Sequence, residues 1–259
     1  SDPKGVMHTP STLGSFVRTH FTMTGRDRDL VGILWFPLAH IGGICAFGMG
    51  PVVNGTRAVF LEQFDPEAAL DLIEREQVTN AGGPTPIVQA LLAAKGFAPE
   101  RVRSVRQSGL GATDVPPELI RELRAKLGAF ISRSYGMTEC PMATGGTPQD
   151  PEEKLVTTDG RAVPGVTVRT VDDAGRAVAA GAEGEIELFG PQLCVGYTDA
   201  RLSAEAFTAD GFLRSGDLAV KDAGGFVRIT GRKKDIIIRK GENLSAKAIE
   251  DELYDHPKI

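Results

Sequence analysis

Cysteine is scarce in this chain. Three are present in 259 residues, Cys45, Cys140 and Cys194, and no two are spaced C-x-x-C. That excludes a disulfide framework and a cysteine-rich zinc site, and fits a reducing compartment. The four histidines, His8, His20, His40 and His256, show no partner pattern, and no Ser-His-Asp or Cys-His arrangement follows from spacing. No long apolar run exists either. The most apolar region, residues 30–53, is broken by Pro37, Gly42, Gly43, Gly48, Gly50 and Pro51 and carries His40, so it reads as a buried helix with glycine-rich flanks, not a membrane span. A positively charged leader is lacking at Ser1-Asp2-Pro3-Lys4-Gly5, and the expected location is the cytoplasm. Excess basic charge is lacking too. With 29 basic against 34 acidic residues, net −5, a dedicated nucleic-acid surface is excluded.

What is present is ordinary globular composition, 41% hydrophobic and 24% charged, with enough Gly (31) and Pro (16) for many loops. Helix is expected over residues 11–23, from a start near Ile41, and from Asp65, which caps a helix with Pro66 in its first turn. Strands are expected at 57–61, 78–81, 102–107 and 130–134, with helices at 84–94 and 116–127 between them. Alternating strand and helix over 57–139 predicts a parallel α/β sheet with crossover helices, whose ligands bind at the carboxyl ends of strands. The loops expected there are residues 108–113 and 134–139, small and glycine-containing, so that backbone can approach a ligand. After about Gly160 the texture changes to alternating strands at 166–171, 185–189 and 226–229. This predicts a small antiparallel β subdomain, with one short helix at 203–207 and another from Ser245 to Tyr254, capped by Ser245.

Residues 211–245 place charges between glycines. Ser215-Gly216-Asp217 reads as a tight turn ending a strand, and Gly224-Gly225 as a hairpin tip. An Asp at a strand end can accept two hydroxyl hydrogen bonds, as from a ribose diol, and a nearby Arg can hold the same sugar or a phosphate. A surface hairpin with a solvated basic turn accounts for the same residues. Lys4 suits the tail of a phosphate loop, although the Walker A pattern is absent and Pro-Lys-Gly is common in turns. Gly109-x-Gly111 lacks the third glycine of a dinucleotide fingerprint. In Tyr135-Gly136-Met137-Thr138-Glu139, Tyr can stack on a base, Thr can donate to phosphate and Glu can bind Mg²⁺, while a strand-to-helix turn with a capping Thr explains the pattern equally.

Taken in order, Asp2-Pro3-Lys4-Gly5, Phe36-Pro37-Leu38-Ala39-His40, Tyr135–Glu139, Gly184-Glu185 with Gly190-Pro191 and Gly196-Tyr197, Ser215-Gly216-Asp217 and Gly231-Arg232-Lys233-Lys234-Asp235 resemble the adenylate-forming superfamily, above all its acyl-CoA synthetases. The resemblance covers the whole chain. It implies that ATP, Mg²⁺ and a carboxylic acid give an acyl-adenylate, which a coenzyme A thiol then attacks. It assigns Lys4 to the β- and γ-phosphates, Thr138 to phosphate, Glu139 to Mg²⁺, Tyr135 with Gly136 to adenine, and Gly109, Gly111, Ala112 and Thr113 to the wall of the adenine and acyl sites. Asp217 and Arg232 take the ribose, and Lys234 falls at the hinge of a mobile lid. His40 gates an acyl pocket that includes Gly43, Met137 and Met142, where several glycines and Met leave room for a medium or bulky apolar acid.

The implied division is an α/β core over 1–154, a β-rich subdomain over 155–232, and hinge and lid from 233 to 259. The family's phosphate-loop start, an earlier subdomain and most of the lid have no counterpart. The expectation is therefore a fragment that does not run the first step alone. An amino-acid-activating domain is disfavoured because no acid lies between Leu30 and Phe60 to pair with a substrate ammonium. A nucleotide-binding homologue without catalysis stays open, as does a homo-oligomer.

Overall fold

The computed structural model describes residues 4–25, 28–111, 115–239 and 242–245. Strand β1 (Val6–Met7) leads into helix α1 (Pro10–Met23), where Thr9 and Thr12 form a reciprocal capping box. Strand β2 (Val31–Leu34) is buried along its length. A π-helical turn (Gly43–Met49) and α2 (Gly50–Asn54) follow, then β3 (Arg57–Phe60). Helix α3 (Pro66–Glu76) starts where Asp65 accepts the Ala68 amide at 2.8 Å, and ends with Gln77 in the left-handed region at φ 53°. Helix α4 spans Thr85–Leu92, β4 Gln107–Leu110, and α5 Pro117–Leu127, which buries Leu119, Ile120, Leu123 and Leu127 on one face.

Four strand segments run parallel: β3 beside β2, and β4 beside β5 (Phe130–Met137). Residues 79–83 bridge the pairs, since Ile33 N–H donates to Asn80 O and Gly83 N–H to Gly109 O. The expected strand at 78–81 is therefore only an isolated bridge at Asn80. The expected strand at 102–107 lies further on, at Gln107–Leu110, because Pro99–Val102 winds into a 3₁₀ turn. Ser108, Gly109 and Leu110 belong to that strand and not to a loop.

Strand β5 changes partner part-way along. Its first half pairs in parallel with β4, and its second half pairs antiparallel with β6 (Cys140–Gly145). Tyr135, Gly136 and Met137 thus lie in a strand, and the turn at Thr138-Glu139 leads to another strand rather than to a helix. Gly136 sits where a Cβ would come within 2.3 Å of the Pro141 carbonyl oxygen, so only glycine allows β5 and β6 to approach this closely.

After α6 (Glu152–Thr157), β7 (Arg161–Ala162) joins the edge of β6. A four-stranded antiparallel sheet then forms from β8 (Thr167–Val171), β9 (Glu183–Phe189), β11 (Leu213–Lys221) and β12 (Val227–Arg232), in the order β12-β11-β9-β8. Between them, β10 (Gly196–Tyr197) pairs with β1, and α7 covers Ala200–Ala206. The Gly224-Gly225 tip does join β11 to β12. Ser215-Gly216-Asp217, by contrast, does not end its strand. It forms a bulge inside β11, with Gly216 at φ 76°, and pairing resumes beyond it. Backbone pairing continues in β13 (Ile236–Arg239) and β14 (Glu242–Ser245), so Ser245 closes a strand. The expected helix beyond Ser245, the lid residues 246–259, Ser1, Asp2, Pro3, Ala112 and Thr113 lie outside the described residues. The chain is thus an α/β protein with parallel and antiparallel sheets.

Besides a smaller core that joins Phe16, Val17 and Cys45, the two larger apolar cores among the described residues lie around Ile33, Leu70, Leu91, Ile120 and Ile131 under the parallel sheet and around Ile186, Leu188, Leu213 and Val227. An internal ion pair connects them through β5: Arg133 donates to Asp159 at 2.9 Å, and the other Asp159 oxygen accepts the Ile229 amide of β12 at 2.9 Å. Among the described residues no helix is long and apolar enough to cross a membrane.

Candidate active site

The switch of partners along β5 places the functional side chains. Tyr135 projects toward the antiparallel sheet and donates its phenolic hydrogen to Asp217 Oδ2 at 2.6 Å. Asp217 faces Arg232 across the β11–β12 register, and Arg232 Nε donates to Asp217 Oδ1 at 2.8 Å. The Asp217 carboxylate is buried, with 4% of the residue exposed, while Arg232 reaches into solvent. Burial foremost, and then the charge of Asp217, push the Tyr135 phenol well above its ordinary pKa, so it stays a donor. The Asp217 charge in turn raises Arg232. Strand β5 and the distant β11–β12 hairpin therefore converge on one carboxylate.

A second cluster forms four residues beyond Tyr135. Glu139, 8% exposed, accepts the Tyr197 phenol on Oε1 at 2.5 Å. Tyr197 is itself buried, and burial first, then this hydrogen bond, raise its pKa. Pairing of β1 with β10 sets Val6 opposite Tyr197 and brings the Lys4 ammonium over the Tyr197 ring, 5.3 Å from its centroid. Thr138 is exposed at the turn, and its carbonyl accepts from His8 Nε2 at 2.8 Å. His8, which showed no partner pattern in the sequence, thus anchors this turn to α1, its Nδ1 lying 3.0 Å from Thr12 Oγ1.

The third part is a cleft of about 560 Å³ between α1, the π-helical turn and the parallel sheet. His40, Gly109, Gly111, Gly136, Met137 and Met142 all line it. Gly43 is not among the lining residues. A Cβ there would meet the carbonyl oxygens of Pro37 and Leu38 at 2.8 and 2.6 Å, so Gly43 serves backbone packing. His40 is exposed at the cleft, not a core histidine. Its Nδ1 accepts the Gly42 amide at 3.1 Å and its ring stands edge-on to Phe36. Lys234 is exposed on a 3₁₀ turn after β12.

Sequence reasoning assigned no role to Tyr197 and none to His20, which also lines the cleft. A signal for His20 existed: Phe16, His20 and Met23 recur at helical spacing on α1, and all three border the cleft. None of the cysteines is a nucleophile, because burial raises Cys45 and Cys194 to about 11 and Cys140 to about 12. A larger cavity of about 640 Å³ adjoins the cleft through Met23, Thr24, Gln107 and Phe130, away from Asp217 and Glu139.

The AMP-binding enzyme family profile matches residues 1–198. The chain belongs to that family. As an AMP-binding enzyme chain it is 36% identical over 258 residues to the medium-chain fatty-acid–CoA ligase of Escherichia coli (strain K12), covering 99% of this chain and 45% of the relative. It is 34% identical to the sulfoacetate–CoA ligase of Cupriavidus necator, over 99% of this chain and 50% of that one. Among solved structures, ATP-bound MatB from Rhodopseudomonas palustris superposes with TM-score 0.91 at 31% identity, over 98% of this chain and 50% of MatB. O-succinylbenzoate coenzyme A synthetase (MenE) from Bacillus subtilis, in complex with ATP and magnesium ion, gives 0.89 at 29% identity, over 98% and 52%. This AMP-binding enzyme chain thus spans about half the length of the curated relatives it matches.

Proposed function

We propose that the chain carries the adenylate-forming site of an acid–CoA ligase, in which a carboxylate attacks the α-phosphate of ATP, pyrophosphate leaves, and a coenzyme A thiol later displaces AMP. The observation that carries this reading is the buried Asp217 carboxylate, held by Tyr135 and Arg232 beside an apolar cleft. A buried carboxylate with two donors already in place suits a diol, which offers two hydroxyl hydrogens. Arg232, exposed at its tip, can follow the ribose, and Tyr135 can turn its ring to adenine.

In this reading Lys4 and Thr138 meet the phosphates on one side of Glu139. Glu139 fits a magnesium site of the kind that rests on one carboxylate and the nucleotide's own oxygens. Tyr197 occupies Oε1, so Oε2 would take the ion, and no cluster of three or more His, Cys, Asp or Glu that could hold a metal exists among the described residues. Bound there, Mg²⁺ would offset charge developing at the α-phosphate and on the departing pyrophosphate. The acid enters beside His40 and lies against Met137 and Met142. Its carboxylate needs positioning rather than a general base, which agrees with the lack of a catalytic histidine dyad. Lys234 would serve as the hinge between half-reactions, with residues 1–154, 155–232 and 233–259 as the moving parts.

The test is carboxylate-dependent exchange of labelled pyrophosphate into ATP, followed by coenzyme A-dependent release of AMP. Exchange is expected not from residues 1–259 alone but from a chain that also carries the family's phosphate-loop start and lid, with Mg²⁺ and a monocarboxylic acid, and is expected to stop there in Glu139→Gln. AMP binding without exchange for any acid would instead favour a nucleotide-binding homologue.

A further inference from the structure

The two relatives named above activate chemically opposite acids at nearly equal identity, 36% for a medium-chain fatty acid and 34% for sulfoacetate, which carries a second anionic group. Overall similarity therefore does not choose between them, and the cleft must. Among the described residues that line it there is no Lys, Arg, Asp or Glu. Its apolar wall is built from Phe16, Met23, Phe36, Phe47, Met137 and Met142. It runs along the sheet from the carboxyl end of β4, at Gly109 and Gly111, to the strand starts at Gln107 and Phe130.

At that far end lies the last turn of α1. Met23 and Thr24 border the cleft there, so the C-terminal end of α1, the negative end of its dipole, lies at the cleft wall. His20 stands on the same turn, packed on Phe16 with ring centroids 5.8 Å apart. Burial lowers its pKa to about 4, so it is neutral near pH 7 and offers a hydrogen bond but no charge. In the adjoining cavity Arg161 is already paired with Asp150, and Arg106, which also lines it, is engaged in an interaction of its own. A carboxylate or sulfonate at the tail's end would thus be buried without a counter-ion, next to a helix terminus of the wrong sign.

We propose that this cleft selects monocarboxylic acids with an uncharged tail, medium-length aliphatic or aromatic, and rejects acids with a second anionic group, with His20 on the wall of its far end. The selection rests on the acyl-adenylating reading for its biological meaning, but it can be tested apart from it. Trp35 is the sole tryptophan of the chain, is 2% exposed, and donates its indole hydrogen at 2.9 Å to the carbonyl of Gly82, a cleft residue. Its fluorescence reports binding whether or not turnover follows.

The experiment titrates the protein with octanoate, ω-hydroxyoctanoate and octanedioate, equal in length and different only at the tail, and measures pyrophosphate exchange with the same acids. Octanoate and the hydroxy acid are expected to bind within about fivefold of each other and octanedioate at least ~30-fold more weakly, the difference a buried unpaired charge imposes. His20→Lys is expected to narrow that gap at least ~10-fold by supplying a counter-ion. Octanedioate binding as tightly as octanoate, or none of the three binding, would overturn the proposal. The ratio in the unmodified protein decides it even if His20→Lys does not fold. Preserved binding order would support the selection, and absence of exchange from a chain that also carries the phosphate-loop start and lid would overturn the adenylation reading. Equal exchange with octanoate and octanedioate would do the reverse.

Discussion

The phenol of Tyr197, on β10, donates to Glu139, on the turn after β5, at 2.5 Å in the protein interior. Tyr197 occupies one of the two carboxylate oxygens, and Lys4 lies over its ring. Residues that orient a metal ligand typically change metal affinity 10- to 100-fold when removed, so Tyr197→Phe is expected to weaken Mn²⁺ binding by about tenfold or more, read by electron paramagnetic resonance in the presence of nucleotide. AMP affinity without metal should stay unchanged. A lower melting temperature with unaltered Mn²⁺ affinity would reduce Tyr197 to a packing residue.

Asp217 holds the convergence of β5, β11 and β12. Asp217→Ala removes the acceptor for both protein donors and, in the proposed reading, for the ribose. Hydrogen bonds to charged groups contribute about 1.5–3 kcal/mol each, so AMP affinity measured by calorimetry is expected to fall at least ~10-fold. Affinity equal to that of the unmodified chain would remove Asp217 from the nucleotide site.

The Arg133–Asp159 pair is buried on both sides, with side chains 8% and 9% exposed. Asp159→Ala strands the guanidinium and the Ile229 amide, and a broken buried pair costs about 3–5 kcal/mol. Chemical denaturation should show that loss. A change below ~1 kcal/mol would mean that water replaces the carboxylate there.

His20 makes stability depend on pH. Its pKa falls from 6.5 to about 4 in the folded chain because burial disfavours the cation. The unfolded chain binds the proton as pH drops below 6.5 and the folded chain does not until about 4, so stability is full above this window and declines through it as pH falls. The total contribution is at most ~3 kcal/mol. Denaturant midpoints measured across the window should drop for the native chain and drop less for His20→Phe. Equal slopes for the two proteins would assign the effect to other groups.

Much of this was legible along the chain. Asp65 with Pro66 marked a helix start, the hairpin tip at Gly224-Gly225 was where it was expected, and the strand–helix alternation over 57–139 gave the parallel sheet. These signals are local, resting on caps, turn conformations and periodicity within a few residues. The errors fall where non-local pairing overrides local pattern. Residues 108–110 read as loop because glycine and serine weaken strand propensity, yet parallel pairing with β5 makes them a strand. Ser215-Gly216-Asp217 read as a strand end because Gly216 adopts a positive φ, which in β11 makes a bulge between two paired stretches.

The sequence by itself determined the kinds of chemistry present: a basic N-terminal turn at Lys4, a Thr138-Glu139 turn, and an Asp217 and Arg232 bound to adjacent strands by the hairpin between them. Only the tertiary structure decided which of these meet. Tyr135 reaches Asp217 over a sequence separation of 82, and Tyr197 reaches Glu139 over one of 58. Such contacts depend on the partner switch along β5 and on how β10 takes up β1, and no short window of sequence carries them. The neutrality of the cleft was undecided for the same reason. Each wall residue is unremarkable on its own element, and the absence of a counter-ion exists only once α1, the π-helical turn and the sheet enclose a common space.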